Sequence, residues 1–176
     1  MTTSIDARAL ALRSIEIMAT GTEADFPAVV HPEATNREAV DEPPACRVPG
    51  PSGFYATALW LRAAYSDLRW EVHEVVVEGD LVVLRTTMSG RHTGPFVTYD
   101  AEGKVEQAFP PTRQTFATTQ THWFRIADGL VIEHWANRDD LGTAKQLGWV
   151  PPTPAYLFRM ARATRAARRA GGKNAR

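Results

Sequence analysis

The chain has 176 residues, of which 44% are hydrophobic and 23% charged, and 20 basic side chains balance 20 acidic ones. This composition is ordinary for one globular domain with a substantial core, and the single cysteine, Cys46, excludes an intrachain disulfide. No stretch approaches the ~18–20 apolar residues of a membrane span. The N-terminal segment lacks the pattern of a secretion signal, so we expect a cytoplasmic protein.

Charge is unevenly distributed along the chain. Residues 1–150 carry 13 basic and 20 acidic side chains, whereas residues 151–176 carry seven basic and no acidic ones. The sequence contains no internal repeat that would indicate an array of small units. We therefore predict a single domain over 1–150, followed by a basic tail over 151–176.

Helical spacing dominates the first part of the chain. Apolar residues recur at the period of a helix over 4–19, and a short helix is predicted over 23–26. Residues 28–50 are rich in proline, which predicts turns and little strand. Ser52 can then cap a further helix over 53–65.

The period changes to that of strands after this helix. Strands are predicted over 69–78 and 81–92, on either side of a Glu-Gly-Asp turn, and clusters of valine support both. The link over 94–112 contains several glycines and prolines and is predicted to be irregular, with an extended piece at 96–98.

A second hairpin is predicted around Asp128-Gly129, with strands over 114–126 and 130–138. A short helix follows over 141–147, and a last helix is predicted over 155–169. Helices followed by a meander of long strands indicate an α+β fold, with the helices on one face of a curved sheet that encloses a pocket.

The two strands of this hairpin carry polar side chains with a period of two. The strand over 114–126 alternates in the manner expected of a ligand-facing wall, and His122 belongs to the alternating set. On the following strand, Trp135, Asn137 and Asp139 share one face and His134 lies on the other. We predict that the face of Trp135, Asn137 and Asp139 lines the pocket.

Four segments carry a resemblance to a known family. Residues 79–96 contain Gly-Asp-Leu-Val-Val-Leu-Arg and Ser-Gly-Arg-His-Thr-Gly-Pro-Phe, and residues 110–113 read Pro-Pro-Thr-Arg. Residues 124–135 read Phe-Arg-Ile-Ala-Asp-Gly-Leu-Val-Ile-Glu-His-Trp, and residues 138–148 contain Arg-Asp-Asp-Leu-Gly and Gln-Leu-Gly. In these segments the chain resembles the SnoaL-like polyketide cyclases of the nuclear transport factor 2-like superfamily.

The resemblance implies a cone of curved antiparallel sheet closed by helices, usually assembled as a homodimer. The characterised cyclases of this family close a ring by intramolecular aldol condensation of a polyketide ester. They use no metal and no organic cofactor. An aspartate in the pocket acts as acid and base, assisted by histidine and asparagine neighbours.

Carrying these roles over gives a set of candidate catalytic residues. The resemblance implies a pocket aspartate from the last strand, and this chain offers Asp139 or Asp140 near the end of that strand. Position 136, directly after His134-Trp135, is alanine, so the chain has no aspartate there. His122 is the histidine partner and Asn36 matches the early asparagine. Either aspartate can instead cap the helix over 141–147.

His92 is a third candidate catalytic residue. It follows strand 81–91 and can donate to a substrate oxygen or carry a proton, or it can be a structural histidine bonded to the backbone. Aromatic and amide side chains can bind the substrate, although packing in the core is the commoner use of such rings. The candidate substrate-binding residues are Asn36, Trp60, Phe96, Trp135 and Asn137. The histidines show no zinc-ligand spacing, so we predict no metal.

Two functions remain open at this point. The first is a SnoaL-like lyase or isomerase that performs cofactor-independent acid–base chemistry on a hydrophobic carbonyl or polyketide-like compound. The second is a non-catalytic module for small-molecule binding or dimerisation on the same fold, which Ala136 favours. Isomerisation, dehydration and epoxide hydrolysis are further reactions between which fold analogy does not choose.

The basic tail leaves its own alternatives open. A basic amphipathic helix over 155–176 can bind nucleic acid or an anionic membrane. Bulky apolar residues are missing after Met160, which favours a solvated terminal helix instead.

Overall fold

A computed structural model describes residues 6–174 of the chain. Four α-helices lie within this range. The first, α1 (Ala7–Thr20), is capped by Asp6, whose carboxylate accepts a hydrogen bond from the Arg8 amide at 3.0 Å. The predicted start of this helix at residue 4 lies outside the described residues. No helix in the described range is long and apolar enough to cross a membrane.

The second helix, α2 (Pro51–Ala64), begins one residue before the predicted cap at Ser52. Gly50 precedes it with φ of 86°, and a Cβ atom at this position would lie 2.3 Å from the Pro32 carbonyl oxygen. Pro51 then occupies the first turn, where its missing N–H costs nothing. Short 3-10 helices at Glu23–Ala28 and Pro44–Arg47 complete the N-terminal part.

Within residues 6–174, seven strands form two sheets. Five of them make a curved sheet in the order β1, β7, β6, β3 and β2, in which β1 pairs parallel to β7 and the other pairs are antiparallel. The sheet is therefore mixed, and the α+β class predicted from the sequence is confirmed. The strands of this sheet are β1 (Val30–Asn36), β2 (Tyr65–Glu78), β3 (Leu81–His92), β6 (Thr115–Ala127) and β7 (Leu130–Arg138).

A separate two-stranded sheet is formed by β4 (Phe96–Tyr99) and β5 (Val105–Phe109). The sequence predicted only an extended piece here, and it predicted turns where β1 lies. Pro32 interrupts the donor pattern of β1, but β1 is an edge strand, where a proline removes no bond that the sheet needs.

The hairpin between β6 and β7 contains a bulge that decides which side chains face the helices. The turn has Asp128 and Gly129 at φ of 50° and 76°, as its sequence predicted. Ile126 then pairs with Val131, but the next pair joins Arg125 to Glu133, so one extra residue lies in β7. A one-residue shift moves every later side chain of a strand to the opposite face.

The chain ends with α3 (Asp140–Gln146) and α4 (Pro154–Asn174). The fourth helix packs on β5, where the Arg168 guanidinium donates to the Val105 and Glu106 carbonyl oxygens at 2.9 and 2.8 Å. Thr164 accepts a hydrogen bond from the Ala108 amide at 2.9 Å. The predicted basic helix is therefore present and is attached to the edge of the small sheet.

The main core lies between α1, α2 and the concave face of the curved sheet. Ile17, Phe26, Leu84 and Phe124 are among its fully buried side chains. A smaller cluster around Tyr65, Met88, Phe116 and Leu147 continues it toward α3. The helices and the sheet thus meet around an interior space that the core does not fill.

Candidate active site

A cavity with two adjoining lobes lies between the helices and the concave face of the sheet. We call them the inner lobe, with about 610 Å³ of empty space, and the outer lobe, with about 910 Å³, both counted out to solvent. The side chains shared by both lobes are Trp60, Leu61, Met88, Gln120 and Arg138.

The inner lobe has mostly apolar walls and a polar end. Its walls include Ile15, Met18, Phe54, Trp70, Phe124 and Ala136. Its polar groups include Asn36, Glu38, Glu42, Thr57, His122 and His134. A pocket with apolar walls and a few convergent polar groups is the usual form of a small-molecule site.

The outer lobe is lined by aromatic rings from several elements. Trp149, which follows α3, stacks on Phe109 of β5 with ring centroids 4.4 Å apart. Phe96 packs between Trp60 and Tyr65, at centroid distances of 4.7 and 5.7 Å. Flat rings at these spacings present faces on which an aromatic ligand can stack.

A chain of hydrogen bonds crosses the polar end of the inner lobe. His134 Nδ1 lies 2.9 Å from Asn36 Oδ1, and His134 Nε2 lies 3.0 Å from His122 Nδ1. His122 Nε2 lies 2.9 Å from Gln120 Oε1, which also accepts from Trp70 Nε1 at 3.0 Å. Both ring nitrogens of His122 therefore lie within hydrogen-bonding distance of other side chains.

The protonation of this chain follows from its two ends. Asn36 Oδ1 accepts from the Glu38 amide at 3.2 Å, and Gln120 Oε1 accepts from Trp70, so both ends of the chain are fixed as acceptors. Two neutral imidazoles supply two hydrogens for the three links. One link is therefore without a hydrogen, and a proton taken up by the pair would complete it.

Burial opposes that proton uptake. Desolvation lowers the pKa of His134 to about 3, and the positive charge of Arg138 lowers it further. Desolvation also lowers the pKa of His122 well below its ordinary value, with His134 and Arg138 as lesser causes. Both rings are therefore neutral at physiological pH. A charged imidazolium would lose more hydration free energy on burial than the chain of hydrogen bonds provides.

Gln120 and Arg138 stand where the two lobes meet. Trp70 and His122 hold the Gln120 carbonyl oxygen, which turns its amide nitrogen toward Met88 Sδ at 3.1 Å. Thioether sulfur is a weak acceptor, so this N–H group can donate to a ligand oxygen. Arg138 is held loosely, at 3.5 Å from both the Glu38 and Asp140 carboxylates.

Glu42 contributes a buried carboxyl group to the inner lobe. Only 2% of its surface is exposed, and its Oε2 accepts a hydrogen bond from Thr57 Oγ1 at 2.5 Å. Desolvation raises the pKa of Glu42 to about 7, against the opposing effects of Thr57 and Arg138. A carboxyl group in this range exchanges a proton near neutral pH.

Several of the predicted site residues reach the cavity. Asn36 and His122 line the inner lobe, Phe96 lines the outer lobe, and Trp60 lines both. His122 reaches it because the alternating face of β6 is the concave one, where Gln120 and Phe124 are also buried. Their roles in binding or catalysis stay predictions.

The predicted face of β7 is corrected by the structure. Trp135 stacks on Trp123 with ring centroids 6.0 Å apart, and Asn137 accepts from Trp123 Nε1 at 3.1 Å, on the side of the sheet away from the cavity. His134, Ala136 and Arg138 line the inner lobe instead, because the bulge in the hairpin reverses the face that each residue takes.

Asp139 also lies outside the cavity. Its carboxylate caps α3, accepting from the Gly142 amide at 2.8 Å, so the capping alternative describes this residue and the predicted base position is corrected. Asp140 lines the outer lobe with a side chain that is 75% exposed. Neither aspartate converges with His122 on the inner lobe.

His92 is buried behind the outer lobe and does not line it. Its ring packs against Tyr65 and Trp149 at centroid distances of 5.8 and 5.3 Å, and its Nδ1 lies 3.3 Å from Thr112 Oγ1. Burial lowers the pKa of His92 to about 4. The ring supports the aromatic wall from behind, as expected of the structural alternative, and a role of His92 in catalysis stays a prediction.

The sequence did not identify Glu42, Gln120 or Arg138 as groups of the cavity. Glu42 lies in a proline-rich segment with no periodicity, where a carboxylate reads as a surface residue, and only the contact with Thr57 of α2 reveals its burial. The sequence predicts only that Arg138 lies at the end of a strand. Within residues 6–174, no three His, Cys, Asp or Glu side chains are grouped so that they could hold a metal ion.

Known proteins resemble this chain in sequence. The family model described as SnoaL-like polyketide cyclase matches residues 8–147. The aklanonic acid methyl ester cyclase DnrD of Streptomyces peucetius is 34% identical over 158 residues, which cover 88% of this chain and 97% of that protein. The nogalonic acid methyl ester cyclase of Streptomyces nogalater is 30% identical over 130 residues, covering 73% and 87%.

Solved structures share the fold. TsrD from Streptomyces laurentii superposes with a TM-score of 0.66 at 26% identity, covering 84% of this chain and 98% of that one. Wild-type IdmH from Streptomyces antibioticus gives a TM-score of 0.62 at 24% identity, covering 81% and 99%.

Proposed function

Because this chain belongs to the SnoaL-like polyketide cyclase family, we propose that it closes a ring in a hydrophobic carbonyl compound by acid–base catalysis. One observation supports this most directly. The cavity is apolar over most of its walls and concentrates a guanidinium and a carboxamide at the junction of its lobes, as Arg138 and Gln120. No organic cofactor enters the proposed reaction.

The proposed substrate class is the methyl ester of an aromatic polyketide acid. The two curated relatives described above are cyclases of such methyl esters. The aromatic rings of the outer lobe suit a flat ring system, and the mostly apolar walls of the inner lobe suit the rest of a hydrophobic molecule. The ligand is thus a hydrophobic small molecule that spans both lobes.

The groups at the junction suit the charge that ring closure develops. In an intramolecular aldol reaction, negative charge forms first on an enolate oxygen and then on the oxygen of the attacked carbonyl. Hydrogen-bond donors that lie where such charge develops stabilise it. We assign this role to the Gln120 amide and to Arg138, with His122 as a positioning residue that holds the Gln120 carbonyl oxygen at 2.9 Å.

The test is turnover of aklanonic acid methyl ester and nogalonic acid methyl ester by the purified chain, followed by chromatography and mass spectrometry. Intramolecular addition conserves mass, so the expected product is an isomer of the substrate with a new retention time. Addition of a metal chelator is expected to leave the rate unchanged. Arg138→Met should slow the reaction by about a hundredfold or more.

Two results would contradict this function. A ligand that binds tightly with no isomer formed above the buffer rate would favour the non-catalytic binding module. A product of different mass would indicate another reaction on the same fold, such as dehydration or hydrolysis.

A further inference from the structure

We propose that Glu42 is the catalytic base of this chain and removes a proton from the carbon next to the substrate carbonyl. The inference rests on the proposed function, which it deepens by naming the group that starts the reaction. Its support is the position of Glu42 in the inner lobe, its burial and the way in which its neighbours hold it.

Glu42 is held both at its side chain and at its backbone. Thr57 of α2 donates to its Oε2 at 2.5 Å, and Arg47 Nε donates to the backbone oxygen of Glu42 at 3.1 Å. Arg47 also reaches the backbone oxygens of Asp100 and Ala101 at 2.7 and 3.1 Å, so the segment is tied to the loop after β4. A base held this firmly needs little reorganisation before it reacts.

The other carboxylates at the cavity either bond to other groups or line only the outer lobe. Among the described residues, Glu38 also lines the inner lobe, but it accepts from the Ala136 amide at 3.0 Å and lies 3.5 Å from Arg138. Asp41 and Asp140 line the outer lobe, and Asp140 is 75% exposed. Ala136 itself presents a methyl group to the inner lobe. Glu42 is therefore the carboxyl group whose surroundings suit proton transfer.

The basicity of Glu42 follows from the groups that surround it. Burial raises its pKa to about 7, the nearby Asp41 adds to the rise, and Thr57, Arg138 and the Cys46 thiol lower it. An ordinary glutamate has a pKa of ~4.3 and would be a weak base at neutral pH. Near pH 7 a substantial fraction of Glu42 is ionised and is more basic than an exposed carboxylate.

The proposed step conserves atoms and electrons. The Glu42 carboxylate takes the proton, the C–H bond breaks, and its electron pair forms the enolate. The enolate carbon attacks the second carbonyl carbon, a C–C bond forms, and the carbonyl π electrons move to the oxygen. That alkoxide takes the proton back from the Glu42 carboxylic acid, so the product is an isomer and the protein returns to its starting state.

Two variants separate this inference from the aspartate at the end of β7. Glu42→Gln keeps the size of the side chain and removes the base, so ring closure of aklanonic acid methyl ester should slow by about a hundredfold or more. Asp139→Asn removes a carboxylate of the same chain but preserves a good helix cap, so its rate should match the wild type. Wild-type rate in Glu42→Gln, or loss of rate in Asp139→Asn alone, would overturn the inference.

A pH profile distinguishes a base from a structural carboxyl group. Thr57 donates to the ionised form of Glu42, so Thr57→Val should raise the pKa of the base and move the acidic limb of the rate profile upward by about one pH unit. A purely structural Glu42 would leave the limb in place while lowering the rate at every pH. An unshifted limb in a folded Thr57→Val protein would therefore overturn the inference.

Deuterium exchange separates this step from the complete reaction. In D₂O, the wild type should exchange the acidic C–H of aklanonic acid methyl ester, and Glu42→Gln should not. Exchange that depends on Glu42 without any ring closure would contradict the proposed function and support the base. Ring closure and exchange that both survive in Glu42→Gln would support the proposed function and contradict the base.

Discussion

A carboxylate at Glu42 loses its hydration in the inner lobe, and its ionisation therefore costs folding free energy. Its folded pKa of about 7 lies above the unfolded value, so the folded state holds the proton more tightly and stability falls as pH rises from ~4.5 to ~7. Glu42→Gln should remove this cost. Relative to the wild type, we expect its free energy of unfolding in urea to gain about 2 kcal/mol between pH 5 and pH 8.

The measured quantity is the change in the free energy of unfolding between two pH values. A change in packing alters that free energy equally at both pH values and therefore cancels. Glu74→Gln is a matched control, because that glutamate lies on an exposed strand in an ion pair with Arg85. A gain that is equal at pH 5 and pH 8 would show that Glu42 titrates as an ordinary surface carboxylate.

The histidine pair of the inner lobe changes stability with pH in the opposite direction to Glu42. Its pKa values are lowered on folding, to about 3 for His134, so the unfolded state binds more protons and stability falls as pH falls through ~6.5. In the Glu42→Gln background, each buried imidazole should cost about 1 kcal/mol of unfolding free energy between pH 7.5 and pH 5.5. Adding His134→Gln should reduce that loss, and an unchanged loss would place the titration elsewhere.

Asp139 should act as a helix cap. Asp139→Ala is expected to lower the free energy of unfolding by about 1 kcal/mol, because the Gly142 amide loses its acceptor, whereas Asp139→Asn keeps one. Asp140→Ala is the control, since its exposed ion pair with Arg138 at 3.5 Å contributes little. Equal losses in Asp139→Ala and Asp139→Asn, measured by chemical denaturation, would contradict the capping role.

The sequence predicts the role of a single residue when that role depends on neighbouring positions in the chain. The alternation along β6 identified the buried face that carries His122, and Asp139 was recognised as a residue type that caps helices. Glu42 gave no such signal, because its burial depends on Thr57, which is 15 residues further along the chain. A carboxylate becomes a functional candidate only when a distant element removes its water.

Among the elements, the β6–β7 hairpin shows how one residue redirects a site. A regular ladder from the Asp128-Gly129 turn would place Trp135 opposite His122, which is the face predicted from the sequence. The observed ladder places Ala136 opposite His122 instead. Period two groups the residues of a strand correctly, but the sequence does not reveal the bulge that decides which group faces the core.

The C-terminal helix should stabilise the small sheet that forms the aromatic wall. Arg168 and Thr164 of α4 bond backbone groups of Val105, Glu106 and Ala108, which belong to an edge strand. Combining Arg168→Ala with Thr164→Val should speed hydrogen exchange of the β5 amides by about fivefold.

Arg165→Ala removes an exposed arginine of the same helix and serves as the control for this measurement. Exchange rates in β5 that respond equally to both changes would show that α4 acts through its general charge. Unchanged rates in both would show that β5 is stable without the helix.

For the whole molecule, assembly stays a prediction from the family resemblance, which implies a homodimer. The outer face of the sheet carries the stacked Trp123 and Trp135, with Arg37 lying 5.0 Å above the Trp135 ring. If two copies pair through this face, Trp135→Glu should convert a dimer to a monomer in sedimentation equilibrium. Phe158→Glu changes an aromatic ring that is 64% exposed on α4 and should leave the dimer intact.

Three further expectations about the whole molecule also stay predictions. They are the division between 1–150 and 151–176, the cytoplasmic location, and binding of nucleic acid or anionic membrane by 155–176. The α+β class followed from the order of helical and strand periods, the family followed from short sequence motifs, and both are confirmed. The cavity could not be predicted in the same way, because its two lobes are assembled from helices, a hairpin and Trp149 that are far apart in sequence.

We propose that the inner lobe holds a reacting carbonyl compound between Glu42 and the donors at Gln120 and Arg138. A crystal structure of the Glu42→Gln variant with aklanonic acid methyl ester bound would test this claim. We expect a carbonyl oxygen within about 3 Å of the Gln120 amide nitrogen or the Arg138 guanidinium, with the acidic carbon facing position 42. A ligand whose acidic carbon faces Asp139, or which occupies only the outer lobe, would contradict the claim.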